Sequence, residues 1–431
     1  DTHVIIMAEE ADARVPVTVL TGFLGSGKTT LLNHILTAAH GKKLAIIENE
    51  FGEVGIDDAL LAKNAKMQAD EEIIEMMNGC ICCTVRQDLI VVLNKLMKRI
   101  KSGKLKLDGI VIETTGMADP APVAQTFFVD DDVKAAFVLD GIVTLIDAKH
   151  IEQHLDEEKP EGAENEAVEQ VAFADRLLLN KTDLVSEEDL ARVEGRLKAL
   201  NSFAPILRCN RSQVSVDSVL GIKGFDLKRT LEMDPEFLNT DGEHEHDNTV
   251  SSLSVVQQGN VDLDLVQDWV SEILQTKGAD IYRMKGVLAI EHAEAKFVYQ
   301  AVHMIFNGDF EPWNEDEVKG NKLVFIGKNL DGAALRASFE ACLATPENIE
   351  RKLQSLRFQV GDRVECSMTG GQRMAGTVTQ LLFRSEEMEQ GQVCPYQVQL
   401  DGGGYTWAPV DEDDCIRAEI PKQGVKRKAE D

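Results

Sequence analysis

The segment Gly22-Phe-Leu-Gly-Ser-Gly27-Lys28-Thr29 constrains the fold of this chain more than any other. It follows the β-branched run Val17-Thr-Val-Leu20 and precedes a helical pattern from Thr30 to about Ala39. The segment fits G-x-x-x-x-G-K-[ST], and a strand before it with a helix after it is the context that this motif requires. Glycines let backbone N–H groups approach a phosphate without a Cβ in the way. The sequence therefore predicts a phosphate-binding loop that joins a strand to a helix.

Within this predicted loop, two side chains have separate tasks. Lys28 is expected to reach the β and γ phosphates of a nucleotide, and the Thr29 hydroxyl is expected to ligate Mg²⁺. The positive end of the following helix adds to the attraction for anions. The predicted nucleotide-binding residues of the loop are Gly22, Gly25, Ser26, Gly27, Lys28, Thr29 and Thr30.

The first half of the chain alternates between short apolar runs and helical patterns. Continuous apolar strands separated by helices indicate a parallel sheet covered on both faces, and ligands of such sheets bind beyond the carboxyl ends of the strands. The fold class is thus predicted as α/β. The runs are Val17–Leu20, Leu44–Ile47, Gly109–Ile112, Val143–Ile146, Leu177–Leu179 and Ile206–Leu207.

Two smaller units are predicted after this sheet. One has strand and helix patterns, including a helix expected over Ala295–Val302, and indicates a small α+β domain. The other has short strands separated by Gly-rich turns, which is typical of a small all-β barrel. The predicted bounds are a first domain at 1–240, a linker at 241–248, the α+β domain at 249–345, the barrel at 356–418 and a disordered tail at 419–431.

Asn180-Lys-Thr-Asp183 follows a later strand of the predicted sheet. A carboxylate at Asp183 can accept hydrogen bonds from N1–H and the exocyclic amine of guanine, a donor pair that adenine lacks. Asn180 and Lys181 are expected to brace the base and the phosphate loop. The motif therefore predicts that the nucleotide is GTP.

Glu113-Thr-Thr-Gly116 closes another predicted strand. Glu113 is expected to hold Mg²⁺ through water, and Gly116 is expected to sense the γ phosphate. Lys28, Thr29, Glu113 and Gly116 are therefore the predicted catalytic set. Met117 stands where many GTPases carry a Gln that orients water, so we expect slow hydrolysis in the absence of a partner.

Gly79-Cys80-Ile-Cys82-Cys83 gathers three of the eight cysteines into four positions. Soft thiolates favour Zn²⁺ or Cu(I), and structural zinc is four-coordinate, so one position of a C-x-C-C set stays open. A carboxylate from the acidic loop after the second strand could fill it. Glu48 is the preferred fourth ligand, with Glu50 and Glu53 as alternatives.

These motifs occur in a fixed order: Gly22–Asn33, Glu48–Glu53, Asn78–Cys83, Glu113–Pro120 and Asn180–Asp183. Together they resemble the CobW family of metal-handling P-loop GTPases, especially its zinc-chaperone branch. Arg283–Leu288, Phe297–His303 and Asn321–Gly327 are similar to the C-terminal domain of the same family. The resemblance covers about three quarters of the chain and leaves the predicted barrel outside it.

The resemblance implies GTP hydrolysis, with Mg²⁺, coupled to the delivery of a metal to a client protein. The metal is commonly zinc, and the resemblance implies that Cys80, Cys82 and Cys83 bind it. Two alternatives stay open: a GTPase that inserts cobalt or nickel, and a regulatory switch that acts through the C-terminal barrel. The family's His-rich tract is reduced here to His244 and His246, which we interpret as plain linker.

The predicted barrel resembles SH3-like or Tudor-like modules. Tyr396, Tyr405 and Trp407 could line a face that binds cations or peptides, but we favour a position in the barrel core. Cys366, Cys394 and Cys415 lack ligand spacing and are interpreted as structural.

The charge balance limits the partners of this chain. It has 45 Lys and Arg against 74 Asp and Glu, for a net charge of −29. Such a surface repels nucleic acids and anionic membranes. We therefore expect neither a nucleic-acid nor a membrane partner, and monomer and homodimer both stay open. Cysteine usage and the lack of a signal peptide favour the cytoplasm, although the first residue is Asp1, so an upstream targeting segment stays open.

Overall fold

Three β-sheets follow one another along the chain in the computed structural model. The structure describes residues 14–49, 72–76, 84–116, 118–160, 165–224, 250–302, 305–313, 317–368 and 372–419. The predicted linker 241–248 and residues 420–431 of the predicted tail lie outside these ranges. Within them, no helix is both long enough and apolar enough to cross a membrane.

The first sheet has seven parallel strands in the order β3-β2-β4-β1-β5-β6-β7. Its strands are β1 Val15–Gly22, β2 Leu44–Asn49, β3 Glu72–Met76, β4 Gly109–Glu113, β5 Phe137–Asp147, β6 Arg176–Asn180 and β7 Ile206–Arg208. Its helices are α1 Lys28–Thr37, α2 Thr84–Lys101, α3 Ala121–Val129, α4 Asp131–Ala136, α5 Ile151–Leu155, α6 Glu166–Ala172 and α7 Glu187–Leu200.

Hydrophobic cores on both faces explain the continuous apolar strands of this sheet. Val17 and Val19 of β1 pack into one core, while Leu20 packs into the other with Leu31 and Leu32 of α1. The predicted parallel α/β sheet is therefore confirmed. Because all strands run the same way, the motifs that follow β1, β4 and β6 meet at one edge.

The second sheet has five antiparallel strands in the order β11-β10-β9-β12-β8. Its elements are β8 Val250–Gln257, α8 Leu263–Lys277, β9 Ile281–Ala289, β10 Lys296–Val302, β11 Ile305–Glu311, β12 Asn321–Lys328 and α9 Gly332–Glu340. The helices supply Trp269 and Phe339, whose rings lie 5.1 Å apart in a core that also holds Phe325 of β12.

The predicted helix over Ala295–Val302 is wrong, because this segment is strand β10. It pairs with β9 on one side and β11 on the other. Tyr299 and Ala301 pack into one core, while Val298 packs into another. This alternation has the two-residue period of a strand, and pairing on both edges outweighs the local helical pattern.

The third sheet also has five antiparallel strands, in the order β16-β15-β14-β13-β17. It follows α10 Pro346–Ser355 and consists of β13 Arg363–Ser367, β14 Arg373–Phe383, β15 Cys394–Leu400, β16 Tyr405–Ala408 and β17 Ile416–Ala418. The predicted all-β unit is therefore present, and its resemblance to SH3-like or Tudor-like barrels stays a prediction. We refer to β13–β17 as the C-terminal sheet.

The three aromatic residues of the C-terminal sheet do not share one environment. Tyr396 is fully buried, and its hydroxyl accepts a hydrogen bond from the Phe358 N–H at 3.2 Å. Tyr405 and Trp407 are 61% and 46% exposed. The expectation that these aromatics form the core is correct for Tyr396 and wrong for the other two.

A buried cluster of charges joins the first two sheets. Asp175, directly before β6, accepts hydrogen bonds from Arg283 and Lys285 of β9 and from the Ile142 N–H. Arg283 also donates to the carbonyl of Phe173 at the end of α6. The junction therefore links β9 of the second sheet directly to α6 and β6 of the first sheet.

Candidate functional site

Glycines shape the loop between β1 and α1. Gly25 and Gly27 have φ angles of 77° and 112°, in the left-handed region that favours glycine. A Cβ on Gly27 would lie 2.5 Å from Nδ2 of Asn180 and 2.7 Å from Oγ of Ser212. A side chain at this position would therefore displace the residues that support the loop.

Lys28 folds into the concave side of this loop. Its side chain is almost fully buried, and Nζ donates hydrogen bonds to the carbonyls of Gly22 at 2.7 Å and Phe23 at 3.4 Å. Ser26 is fully buried, and among the described residues its Oγ has no hydrogen-bond partner. An unsatisfied buried hydroxyl costs about 1–3 kcal/mol. The positioned ammonium group of Lys28 and the unsatisfied hydroxyl of Ser26 are both suited to bind phosphate oxygens in this loop.

Thr29 and Glu113 meet at the end of β4. Thr29 Oγ1 lies 3.5 Å from Glu113 Oε1, with the threonine donating. Two hard oxygen donors at this spacing are the ligand type that Mg²⁺ prefers, with water completing its shell. The arrangement therefore fits a Mg²⁺ ion. Thr30, on the next position of α1, is exposed.

The backbone register brings three glutamate positions side by side at the carboxyl ends of neighbouring strands. Glu48 of β2 pairs with Glu113 of β4 and with Glu75 of β3. Glu48 is the predicted ligand of this row, whereas Glu75 lies in the short strand β3, which carries no motif. β3 ends at Met76, four residues before Cys80.

The predicted thiol ligands Cys80, Cys82 and Cys83 lie outside the described residues, as do Glu50, Glu53, Met117, His244 and His246. The described ranges contain no group of three or more His, Cys, Asp or Glu residues that could hold a metal. Burial raises the pKa of Cys209, Cys366 and Cys394 to about 11 and that of Cys342 to about 12. These thiols stay protonated at neutral pH, which supports the interpretation of Cys366 and Cys394 as structural.

Gly116 lies against the phosphate loop. A Cβ on Gly116 would lie 2.8 Å from both N and Cα of Leu24. Two residues before it, Thr114 Oγ1 donates to Thr21 Oγ1 at 2.9 Å, which ties the segment after β4 to the end of β1. A change in the phosphate loop therefore reaches the segment after β4 by direct contact.

Gln170 of α6 was missed by the sequence analysis. This residue is 2% exposed, and its Nε2 donates to the carbonyls of Gly116 at 3.4 Å and Ala118 at 3.2 Å. The backbone carbonyl of Gln170 accepts from Thr144 Oγ1 at 2.8 Å, which fixes α6 on the sheet. Gln170 thus holds the segment after β4 on both sides of position 117. No local motif marks such a long-range tether.

Asn180, at the end of β6, braces the phosphate loop as predicted. Its Nδ2 donates to the Ser26 carbonyl at 2.9 Å and to Ser212 Oγ at 3.0 Å, and its Oδ1 accepts from the Ser212 N–H at 2.9 Å. Ser212 Oγ donates in turn to the Gly27 carbonyl at 3.0 Å. Ser212 was missed, although a polar loop after the strand β7 was a signal that could have indicated it.

Lys181 and Asp183, which follow Asn180, lie closer to the surface. Lys181 Nζ is 2.7 Å from Oδ2 of Asp147, which also contacts His150 Nδ1 at 2.9 Å. Burial opposes ionisation of Asp147, but the hydrogen bonds from Lys181 and His150 outweigh it and lower the pKa of this carboxyl. Asp183 is exposed and lines a cleft of about 530 Å³, within the range of small-molecule sites.

Comparison with known proteins gives the same family as the motifs. Residues 16–208 match the CobW/HypB/UreG nucleotide-binding domain, and residues 250–343 match the cobalamin synthesis protein CobW C-terminal domain. The zinc chaperone YjiA of Escherichia coli is 35% identical over 326 residues, which cover 75% of this chain and 98% of YjiA. Zinc-regulated GTPase metalloprotein activator 1 of Schizosaccharomyces pombe is 33% identical over 353 residues, 73% of this chain and 83% of that protein.

A solved structure supports the assignment. The crystal structure of Zn(II)-bound YjiA GTPase from E. coli matches with a TM-score of 0.59 and 29% identity, and the match covers 76% of this chain and 99% of that chain. The C-terminal sheet lies beyond both matched domains. The agreement of motifs, domains and relatives confirms the resemblance, and this chain belongs to the CobW/HypB/UreG family of P-loop GTPases.

Proposed function

We propose that this chain is a GTP-hydrolysing metallochaperone that binds zinc through Cys80, Cys82 and Cys83 and delivers it to a client protein. Relatives named zinc chaperone and zinc-regulated GTPase metalloprotein activator support the general function. The observation that carries the proposal is the strand register that aligns Glu113, Glu48 and Glu75. It joins the predicted Mg²⁺ ligand to the strand that leads into the three cysteines.

The register gives a physical route between the nucleotide and the metal. Cys80 follows Met76 by four residues, and four residues of extended chain span at most about 14 Å. The backbone at Glu48 pairs with both flanking strands, so a shift of β2 at this position reaches β3 and β4. In this proposal Glu48 completes the zinc shell in the GTP form. Soft thiolates at three positions favour zinc over cobalt or nickel.

Hydrolysis is assigned to the residues around the phosphate loop. Water attacks the γ phosphorus, the bond to the β–γ bridging oxygen breaks, and GDP and phosphate leave. Lys28 neutralises charge on the β and γ phosphates, and the backbone of the loop orients them. Thr29 and Glu113 would hold a Mg²⁺ ion, which would supply further charge neutralisation at the phosphates. Asn180 keeps the loop in place, and Asp183 accepts the guanine donors.

Gln170 provides the first test of this assignment. Gln170→Met keeps the bulk of the side chain but removes both hydrogen bonds to the carbonyls of Gly116 and Ala118. We expect kcat for GTP hydrolysis to fall roughly 5–150-fold, because the two bonds together contribute about 1–3 kcal/mol to the ordered segment. The affinity for GDP should not change, because GDP lacks the γ phosphate that this segment contacts. Single-turnover hydrolysis and GDP titration measure the two quantities. An unchanged kcat would rule out a positioning role for Gln170.

Zinc release during turnover tests delivery itself. Protein loaded with one equivalent of zinc and GTP is mixed with a chromogenic zinc chelator, and phosphate and chelated zinc are followed together. We expect the two to appear at the same rate. A variant with Cys82→Ser and Cys83→Ser should release phosphate at a similar rate. In this variant, zinc should not reach the chelator at the rate of phosphate release. Phosphate release from the unmutated protein without matching zinc release would contradict the proposal.

A further inference from the structure

The C-terminal sheet carries an exposed face that the family assignment does not explain. Tyr405 and Trp407 alternate along the edge strand β16, so both side chains point to the same side of the sheet. Between and after them, Thr406 is half-buried and Ala408 packs into the core of this unit. The two aromatic rings therefore lie on the outer face of the sheet.

Polar side chains surround these rings. Tyr405 pairs with Gln399 and Trp407 with Gln397 on the neighbouring strand β15, and directly opposed residues share one side of a sheet. The ring of Phe383 lies 6.4 Å from that of Trp407. We define the aromatic face as these five residues. Aromatic rings flanked by amide groups can pack against apolar parts of a peptide and hydrogen-bond to its backbone.

The net charge of the C-terminal sheet indicates which kind of partner can bind to the aromatic face. Residues 356–419 contain eleven Asp and Glu, five Arg and no Lys, for a net charge of −6. The acidic run 411–414 begins four residues after Trp407, so it starts within about 14 Å of that residue. Glu412 and Asp414 in this run are exposed. Nucleic acids and anionic lipid surfaces are repelled by such a surface, whereas Lys and Arg side chains are attracted to it.

The arginines of the unit do not cancel this charge at the surface. Arg357 contacts Asp411 and Asp413, Arg363 contacts Asp401 and Glu419, and Arg417 contacts Glu365. The other two, Arg373 and Arg384, donate to backbone carbonyls within the unit. Each arginine is thus engaged internally, and the excess carboxylates determine the sign of the outer surface.

The aromatic face stays exposed because the C-terminal sheet packs on the second sheet through a different segment. Gln390, in the connection between β14 and β15, accepts hydrogen bonds from the N–H groups of Glu294 and Ala295. The Gly391 N–H donates to the His292 carbonyl at 3.2 Å. Within the described ranges, these hydrogen bonds to the second sheet come from this connection and not from β16.

We propose that the aromatic face is a docking surface for a basic, extended peptide segment of a partner protein. Trp407 and Tyr405 stack on Lys or Arg side chains and on the apolar stems of these residues. Gln397 and Gln399 hydrogen-bond to the peptide backbone, and the acidic run 411–414 attracts further cationic side chains. This role is separate from GTP hydrolysis and zinc binding, which involve other parts of the chain.

The test uses a phage-displayed library of random dodecapeptides, selected against the full chain. We expect the enriched peptides to carry a net positive charge, and we expect a synthetic copy of the most enriched peptide to bind at least tenfold more weakly to Trp407→Ser. Val360→Ser, which changes another exposed apolar residue of the same unit, is the matched control and should bind normally. Because Trp407 is already exposed, its replacement should leave the fold intact.

A second variant tests how much the acidic run 411–414 contributes to peptide binding, independently of the aromatic rings. Glu412→Gln combined with Asp414→Asn should weaken the same peptide several-fold at low salt, and added salt should reduce that difference. GTP turnover should be the same in all variants. Enrichment of neutral or acidic peptides, equal binding to the unmutated chain and to Trp407→Ser, or no enrichment at all would each overturn the proposal.

Discussion

Replacement of Asp175 by Asn is expected to lower the free energy of unfolding by about 3–5 kcal/mol, because it removes one partner of a buried ion cluster. The carboxylate is almost fully buried and accepts hydrogen bonds from Arg283, Lys285 and the Ile142 N–H. Asn keeps the shape of the side chain but leaves two buried cations without their counter-charge. The midpoint of denaturant unfolding, followed by circular dichroism, measures the loss.

Asp217→Asn is the matched control for this experiment. Asp217 forms a long ion pair with Lys42 at 3.5 Å, and its side chain is 81% exposed. Because solvent screens such a pair, its loss should leave the midpoint nearly unchanged. If Asp175→Asn unfolds at the same denaturant concentration as the control, the cluster between the first two sheets does not hold them together.

Replacement of Asp183 by Ala is expected to weaken GTP binding by about 1–3 kcal/mol, or roughly 5–150-fold, because two donors on guanine lose their acceptor. ATP binding, which is already weak in this assignment, should not change. The exposed position of Asp183 beside the cleft allows the substitution without disturbing the core. Titration with fluorescent GTP and ATP derivatives gives both affinities.

Asp183→Asn makes this prediction more specific. Xanthine carries a carbonyl where guanine carries the exocyclic amine, so an Asn amide can donate where the Asp carboxylate could only accept. We expect this variant to prefer xanthosine triphosphate to GTP. A variant that binds both triphosphates equally, or an unmutated protein that binds ATP as well as GTP, would show that Asp183 does not select the base.

The nucleotide site could be predicted from the sequence, because its glycines and the polar residues that follow its strands occur in short motifs with fixed spacing. The φ angles of Gly25 and Gly27 and the contacts of Asn180 follow from a loop that must bend tightly between strand and helix. Gln170 and Ser212 were not predicted, because each forms its hydrogen bond with a residue more than 50 positions away along the chain. Gln170 bonds to the Gly116 carbonyl and Ser212 to the Gly27 carbonyl, and no spacing rule relates such distant residues.

The errors elsewhere in the chain come from the balance between local pattern and tertiary pairing. β10 was predicted as a helix, since the effect of strands pairing on both its edges cannot be read from the segment alone. Tyr396, Tyr405 and Trp407 all lie in short strands of one sheet, but only Tyr396 faces the core. Which face of a short strand is buried depends on its register, and a shift of one residue moves every side chain to the other face.

Nucleotide binding and zinc binding are coupled in the proposed function, and an equilibrium titration of zinc in each nucleotide state measures this coupling. Zinc is titrated against a competing chelator with a non-hydrolysable GTP analogue, with GDP and without nucleotide. We predict tighter zinc binding in the GTP form by about 1–3 kcal/mol, or roughly 5–150-fold, and an equal effect of zinc on GTP affinity. Serine at both Cys82 and Cys83 should abolish the difference and leave GTP affinity nearly intact. Identical zinc affinities in all three nucleotide states of the unmutated protein would contradict delivery driven by GTP.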